Sequence, residues 1–244
     1  MELKGTGNVK LTGSVSIGIR TILSNRHIQC ALICAKKSNE IESQYSEGSK
    51  WEENAPLYQE DQAYSWGAII SSVAYLESLI NEFFNDCNYN AEEIKSIGEE
   101  EIKLLNKHYE KDFKCRRKGP KHLKIFCKYL TAYSIINGKG IYKKSDLCQN
   151  FIDLIQLRNA LTHYHSEFQF EMGDPYGLNQ LQGRFKENIF MNNVGNSFFP
   201  FKCLGAGCAE WAVNISIDFT EFFYSEIGLK SKMAEVKKIQ LGMS

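Results

Sequence analysis

The chain has 244 residues, of which 43% are hydrophobic, and its 29 lysines and arginines balance 29 aspartates and glutamates. A net charge of zero argues against a protein that coats nucleic acid by charge alone, because such proteins usually carry a strong positive excess. The length is sufficient to bury a sizeable core without disulfides or metals, and we expect a single domain over 1–244.

The first part of the chain predicts a short arm followed by helices. Residues 1–18 are rich in glycine, threonine, serine and valine in rough alternation, which indicates a β-like arm. A first helix is expected over about 24–42, with Ser24 as its N-cap. A second helix is expected over 58–87, because its large apolar residues recur three and four positions apart and form one continuous face. These residues are Ile69, Val73, Leu76, Ile80 and Phe83.

The rest of the pattern completes an all-α fold, an up-and-down helical bundle. A charge-rich third helix is expected over 88–109. A fourth should begin at Pro120, which suits the first turn of a helix, and end at Gly138. A fifth is expected over 147–164, within a segment that lacks glycine and proline.

A long connection over 173–207 precedes the last predicted helix, 209–227, which is rich in aromatic residues. Connections of this length inside a compact domain are usually covers or sites of contact. Phenylalanines at 198, 199 and 201 could stack on bases, seal a partner surface or pack over the end of the core.

The fifth predicted helix carries an arginine within its apolar stripe. The stripe consists of Phe151, Leu154, Ile155, Leu157 and Leu161. At about 100° per residue, Arg158 falls inside this sector, away from Asp153 and Gln156 on the polar side. A guanidinium keeps its charge, so Arg158 needs a carboxylate, carbonyl groups or the phosphate of a ligand if it is removed from water.

Asn159 and His163 lie four positions apart, so they share a helix face on which the amide could orient the imidazole. That face differs from the one that carries Arg158, because His163 lies roughly 140° away around an ideal helix. A bent or ending helix, or a second subunit, would have to bring the two side chains together. His165 lies only about 20° from Arg158 and is the rival candidate for proton transfer.

The segment that begins Arg158-Asn159, with four residues between Arg158 and His163, resembles the Arg-polar-x-x-x-His motif of the HEPN superfamily. Members of that superfamily are all-helical, and many are metal-independent endoribonucleases. The predicted amphipathic helix upstream and the aromatic C-terminal helix follow the usual order of parts in the superfamily. The close match covers roughly twenty residues, and the rest of the resemblance is architectural.

Two other arginine–histidine pairs have comparable spacing. Arg20 precedes His27 across the expected start of the first helix, and Arg117 precedes His122 across a Gly-Pro dipeptide that breaks a helix. Neither arginine is followed by asparagine. The pair in the fifth predicted helix is therefore the one that fits the motif.

The resemblance implies RNA cleavage without a metal or any other cofactor. The 2'-hydroxyl of RNA would be the nucleophile, and the products would carry a 2',3'-cyclic phosphate and a 5'-hydroxyl. His163 would transfer protons, because an imidazole titrates near neutrality. Arg158 would stabilise the charge on the phosphorane, and Asn159 would orient the imidazole or a phosphate oxygen.

Substrate contacts are expected at two places. Next to the motif, the candidates are Thr162, Tyr164 and His165. The second place is the basic segment 111–128, where eight cations occur with one acid. Its candidates for phosphate contact are Arg116, Arg117, Lys118 and Lys121. A solvated loop and helix start is the simpler interpretation of such a charge run.

The resemblance also implies partners. Family members typically pair two protomers so that both motifs face one cleft, which predicts a homodimer that binds RNA. A toxin or phage-defence role would add an antitoxin or nucleotidyltransferase partner. In some toxins a tyrosine two positions after the histidine is the residue that the nucleotidyltransferase modifies. Here that position is His165, and Tyr164 lies one place early.

The cysteines and the apolar segments indicate a reduced cytoplasmic protein. Eight cysteines occur without a paired CxxC spacing, so we expect no metal site. Cys30, Cys34, Cys127 and Cys148 lie in predicted helices among apolar neighbours, where a reduced thiol packs as a small hydrophobe. We see no basic-then-apolar leader and no span-length apolar segment, and we expect no membrane contact.

Two other hypotheses stay open. The chain could be a non-catalytic HEPN-like module that binds RNA, a nucleotide or a protein, with Arg158 paired to a core carboxylate such as Glu77. A weaker hypothesis is a helical bundle that holds a metal through His163, His165 and nearby acids. It lacks the Glu-x-x-His repeats of carboxylate-bridged bundles.

Overall fold

The structure is a computed structural model, and it describes seven stretches of the chain. They are residues 22–45, 51–89, 91–109, 124–138, 145–163, 177–191 and 195–231. These stretches form an all-α bundle without a β-strand, so the predicted all-α class is confirmed for the described residues. The predicted arm at 1–18 lies outside them.

Six α-helices form the bundle. They are α1 (Ser24–Gln44), α2 (Ala55–Asn88), α3 (Glu99–His108), α4 (Lys124–Asn137), α5 (Asp146–Thr162) and α6 (Ala206–Glu226). The central member is α2, which contacts each of the other five. All five residues of its predicted apolar face are at most 2% exposed, so that prediction is confirmed. A proline in its first turn, where the missing N–H is not needed, helps it begin three residues before the predicted start.

Aromatic rings fill the space where α4, α5 and α6 meet. The ring centroids of Phe151 and Phe219 are 4.0 Å apart, and that of Tyr129 lies 4.8 Å from the centroid of Phe223. All four residues are fully buried. The Tyr129 hydroxyl donates a hydrogen bond of 2.8 Å to the carbonyl of Leu76 on α2, so this ring is both packed and satisfied.

Ser24 does not cap α1, contrary to the sequence-based expectation. It is the first helical residue, and the cap position is Leu23, whose side chain makes no capping bond. The carboxylate of Glu82 on α2 instead accepts the N–H groups of both residues, each at 3.0 Å, and the Ser24 hydroxyl at 2.6 Å. A full negative charge at the positive end of a helix replaces the local serine cap.

The prediction of one helix over 88–109 was wrong. A short 3-10 turn at Glu92–Ile94 and the extended residue Gly98 (φ −64°, ψ 149°) interrupt the segment before α3 begins. The first turn of α3 contains three glutamates, which are favoured where the helix dipole is positive. The glutamates that suggested one long exposed helix thus mark the start of the shorter helix α3.

The long connection packs onto the bundle. In its described part, 177–191 and 195–205, Leu178 and Leu181 are fully buried, and Phe198 and Phe199 are at most 7% exposed. Phe201 is 40% exposed. Of the three expected roles for these phenylalanines, Phe198 and Phe199 show packing over the core. The last helix begins three residues earlier than predicted, at Ala206.

The cysteines depart partly from expectation. Cys148 is fully buried and behaves as a small apolar residue. Cys30 and Cys127 are exposed, and Cys34 is half-buried, so the prediction that these thiols are packed as core residues was wrong for the first two. The buried side of α1 instead includes polar residues that bond to other helices, such as Ser24.

We predict that Phe151→Ala lowers the free energy of unfolding by roughly 3 kcal/mol or more, because it leaves a cavity among the rings of α4 and α6. Urea unfolding followed by circular dichroism would measure it. Phe201→Ala, at an exposed position, is the control and should change the free energy by less than about 0.5 kcal/mol. Equal effects of the two substitutions would contradict this account of the core.

Candidate functional site

α5 is held in a fixed orientation by its cap and its buried face. The Ser145 hydroxyl at the N-cap accepts the N–H of Cys148 at 3.3 Å. The five residues of the predicted apolar stripe are at most 5% exposed, which confirms that face. It packs against α2 and α6. Arg158, predicted inside the stripe, is half-buried as a result.

The guanidinium of Arg158 is partly removed from water. Its Nε atom is buried and has no hydrogen-bond partner. Burial lowers the pKa of Arg158, and the negative charge of Glu77 on α2 partly opposes this. Glu77 is exposed, and no ion pair joins these two described residues, so its field reaches Arg158 without a direct contact.

Asp153, expected on the polar side of the helix, is fully buried, and that expectation was wrong. Its Oδ2 lies 2.9 Å from Nη1 of Arg184 in the long connection. Its Oδ1 accepts hydrogen bonds from the amides of Gln149, at 2.9 Å, and Gln180, at 3.1 Å. The carboxylate is buried because these partners compensate its charge, and it ties the connection to α5.

The other motif residues lie in the last turn of α5. Asn159 is half-buried, and its carbonyl accepts the N–H of His163 at 2.9 Å. The helix ends at Thr162, and His163 occupies the C-cap with an exposed side chain. The Thr162 hydroxyl donates to the carbonyl of Arg158 at 3.0 Å, so its proton is used inside the helix. α5 therefore ends one residue before His163, which is one of the three arrangements considered from the sequence.

The remaining substrate-binding candidates fall outside the described residues. They are Arg116, Arg117, Lys118, Lys121, Tyr164 and His165. The comparison between His163 and His165 therefore rests on the sequence alone.

A second polar cluster, at the start of α6, was not predicted. Asp61 on α2 is fully buried and accepts hydrogen bonds from the hydroxyl of Ser38 and, at 2.7 Å, from the amide of Asn188. Glu42 on α1 is 7% exposed and accepts the N–H of Ala206 at 2.8 Å. The two carboxyl groups lie close enough for each to influence the pKa of the other. Glu42 caps the last helix from its buried side.

Burial raises the pKa of Asp61 to about 7, and the charge of Glu42 adds to this rise, whereas hydrogen bonds from Ser38 and Asn188 oppose it. Burial also raises the pKa of Glu42, although the N–H of Ala206 favours its charged form. Burial and the charge of Glu42 therefore favour the protonated form of Asp61. The N–H of Ala206, at the positive end of α6, favours a negative charge on Glu42.

Gly205, the residue before α6, packs closely against this cluster. A Cβ at Gly205 would lie 2.4 Å from Oε1 of Glu42 and 2.9 Å from the Asn188 backbone, so only glycine fits there. From sequence, a serine and two acids on helical faces look solvent-exposed. Their partners lie more than one hundred residues away in the chain for Asp61–Asn188 and Glu42–Ala206.

A cavity of about 330 Å³ lies between the C-terminal ends of α2 and α6. Its walls include Phe83, Asp86, Ile94, Tyr224 and Leu229. None of the predicted site residues lines it. Within the described stretches, no cluster of three or more His, Cys, Asp or Glu side chains is arranged to hold a metal ion.

No family model, curated protein or solved structure matches this chain. Across the described residues, none of the helices has both the length and the apolar character that crossing a membrane requires.

We predict that Asp61→Asn removes a pH dependence of stability. Because the folded pKa of Asp61, about 7, exceeds its ordinary value of 3.8, the wild type gains stability in acid and loses it as pH rises from about 4 to 7. Asparagine has nearly the same shape as aspartic acid and has no proton to lose. At pH 8 the variant should be more stable, by up to about 4 kcal/mol.

Urea unfolding at pH 5 and pH 8 would measure this difference. Glu60→Gln, at the adjacent exposed position of α2, is the matched control and should leave the pH slope of the wild type unchanged. An Asp61→Asn protein that is less stable than the wild type at pH 8 would show that the fold does not raise the pKa of Asp61.

Proposed function

We propose that the protein is a metal-independent endoribonuclease that uses Arg158, Asn159 and His163. One observation carries the proposal, namely the partly desolvated guanidinium of Arg158, whose buried Nε has no hydrogen-bond partner, one turn before the exposed His163. A partly desolvated cation and an accessible imidazole near the end of one helix suit an anionic ligand that undergoes proton transfer. The resemblance to the HEPN motif supplies the reaction class.

In this reaction an imidazole removes the proton of a 2'-hydroxyl while that oxygen attacks the adjacent phosphorus. The bond to the 5'-oxygen of the next nucleotide breaks, and a proton goes to this leaving oxygen. Arg158 would stabilise the phosphorane, and its effect is larger where water is excluded. Asn159 lies four residues before His163 and would orient either the imidazole or a phosphate oxygen.

One imidazole does not easily serve both the attacking and the leaving oxygen. A homodimer that brings two copies of His163 to one cleft would provide a base and an acid, as the family resemblance implies. The half-buried position of Arg158 on α5 is compatible with a site at such a seam. The basic residues predicted to contact RNA would extend the phosphate contacts beyond the scissile bond.

A toxin or phage-defence effector in the cytoplasm is the biological role that we propose for such an activity. An antitoxin or nucleotidyltransferase would be its regulator. Expression of the wild type should then arrest growth, whereas Arg158→Ala should not.

We predict that Arg158→Ala lowers the rate of RNA cleavage by roughly a hundredfold or more, because a charge-stabilising donor is lost. His163→Ala should lower it by a similar or larger factor through loss of proton transfer. Cleavage of a mixture of ribosomal and transfer RNA, with mass spectrometry of the ends, would measure both the rate and the cyclic phosphate. Helical circular dichroism would verify the fold of each variant.

Arg26→Ala and His108→Ala are matched controls, because both side chains are exposed and lie outside the motif. They should retain full activity. If Arg158→Ala and His163→Ala cleave as fast as these controls, the proposal is wrong. RNA binding without a cyclic-phosphate product would instead support the non-catalytic binding module.

We also predict that an excess of EDTA leaves the cleavage rate within about twofold of the untreated rate, because the 2'-hydroxyl, the imidazole and the guanidinium supply all the groups that the reaction needs. The measurement is the same cleavage assay after dialysis against the chelator. A loss of activity that Mg²⁺ or Mn²⁺ restores would contradict this mechanism.

A further inference from the structure

Two cysteines lie one turn apart on α1. Cys30 is exposed and Cys34 is half-buried. The spacing places both sulfurs on the same side of the helix. The pair is thus an accessible dithiol on a rigid helix.

α2 leaves room for the inner sulfur of this pair. Gly67 faces Cys34, and a Cβ at that position would lie 3.0 Å from the Cys34 Sγ. Any larger residue at position 67 would press against the sulfur. The absence of a side chain at Gly67 therefore leaves space for the Cys34 sulfur between α1 and α2.

The geometry of a helix favours a bridging atom over a direct disulfide. Residues four apart on a helix have Cβ atoms about 5 to 6 Å apart. A disulfide needs about 3.8 Å between them, which would distort α1. A third atom between the two sulfurs lengthens the bridge and fits an undistorted helix.

Burial, with a smaller contribution from the neighbouring Cys30, raises the pKa of the Cys34 thiol to about 11. A metal cation would have to displace both thiol protons into water, which a raised pKa disfavours. A trivalent arsenic hydroxide needs no separate base, because each OH group on arsenic takes the proton of one thiol and leaves as water.

We propose that Cys30 and Cys34 form a binding site for monosubstituted trivalent arsenic compounds. The reaction is R–As(OH)₂ + 2 RSH → R–As(SR)₂ + 2 H₂O, in which two As–O bonds and two S–H bonds break while two As–S and two O–H bonds form. Arsenic stays trivalent, so no oxidant or reductant is required. Soft thiol ligands suit such thiophilic atoms.

The surroundings favour an organic substituent on the arsenic. Ile33, the residue before Cys34, is 46% exposed, and Trp66, the residue before Gly67, is 44% exposed. Large apolar side chains with this exposure are few on the described surface. Ile33 lies three residues after Cys30, so it shares that side of α1 and offers an apolar surface for an aryl or alkyl group.

The other described cysteines provide an internal contrast. Cys203 and Cys208 also form a neighbouring pair, with sulfur atoms 3.9 Å apart, but both are fully buried. Cys127 is exposed without a described cysteine partner. A reagent that needs two accessible thiols should therefore select the pair on α1 among these cysteines.

The test is a short exposure of the reduced, full-length protein to phenylarsine oxide, followed by native mass spectrometry and peptide mapping. We expect one phenylarsenic group for two lost hydrogens, mapped to Cys30 and Cys34. It should persist in glutathione, a monothiol, and be removed by 2,3-dimercaptopropanol. Cys30→Ser should weaken binding roughly a hundredfold or more, because the second attachment is lost.

Cys127→Ser is the matched control and should bind phenylarsine oxide like the wild type. Cys34→Ser should lose binding as Cys30→Ser does, and circular dichroism would verify that its helices are intact. If Cys34→Ser does not fold, Cys30→Ser at its exposed position decides the question alone. Unchanged binding by Cys30→Ser, or an adduct mapped to any other pair of cysteines, would overturn the proposal.

Discussion

Carboxylates buried at helix N-termini organise the described bundle. Glu82 of α2 accepts the first N–H groups of α1, and Glu42 of α1 accepts the first N–H of α6. Buried N–H groups without partners are costly, so each glutamate makes one helix depend on another. The connection enters the same network through Asn188, which donates to Asp61 and to the carbonyl of Leu204. Polar contacts at the helix ends thereby fix positions that apolar contacts along the helices leave adjustable.

Much of the fold follows from apolar spacing. The stripes of α2 and α5 are regular over many turns, and every residue predicted for them is buried. Predictions failed where a polar group is buried by a distant partner. Asp153 and Asp61 have the spacing of surface residues, and partners contributed by a later segment, Arg184 and Asn188, help to make their burial possible. A local pattern carries no information about such partners.

The candidate site shows the same division. That Arg158 would lie partly within the core follows from its place in the stripe of α5, and its half-buried state agrees with this. The position of the helix end could not be obtained in the same way. The helix ends where the chain leaves its last turn. Because His163 lies beyond that end, the direction of its side chain does not follow from a helical wheel. The exposure of Cys30 and Cys34 likewise depends on which face of α1 is buried, and polar contacts with α2 help to determine that face.

Arg184 and Arg158 differ in whether their guanidinium groups have partners, and this difference bears on function. Arg184 is 2.9 Å from the buried carboxylate of Asp153, which in turn accepts two amide hydrogen bonds. Arg158 has a buried Nε without a partner and feels Glu77 only through its field. An arginine that serves structure alone would be expected to resemble Arg184, because an unpaired buried cation destabilises the fold. A phosphate bound at Arg158 would relieve that cost, so the same desolvation that weakens the free protein would strengthen both the binding of an anion and the stabilisation of its transition state.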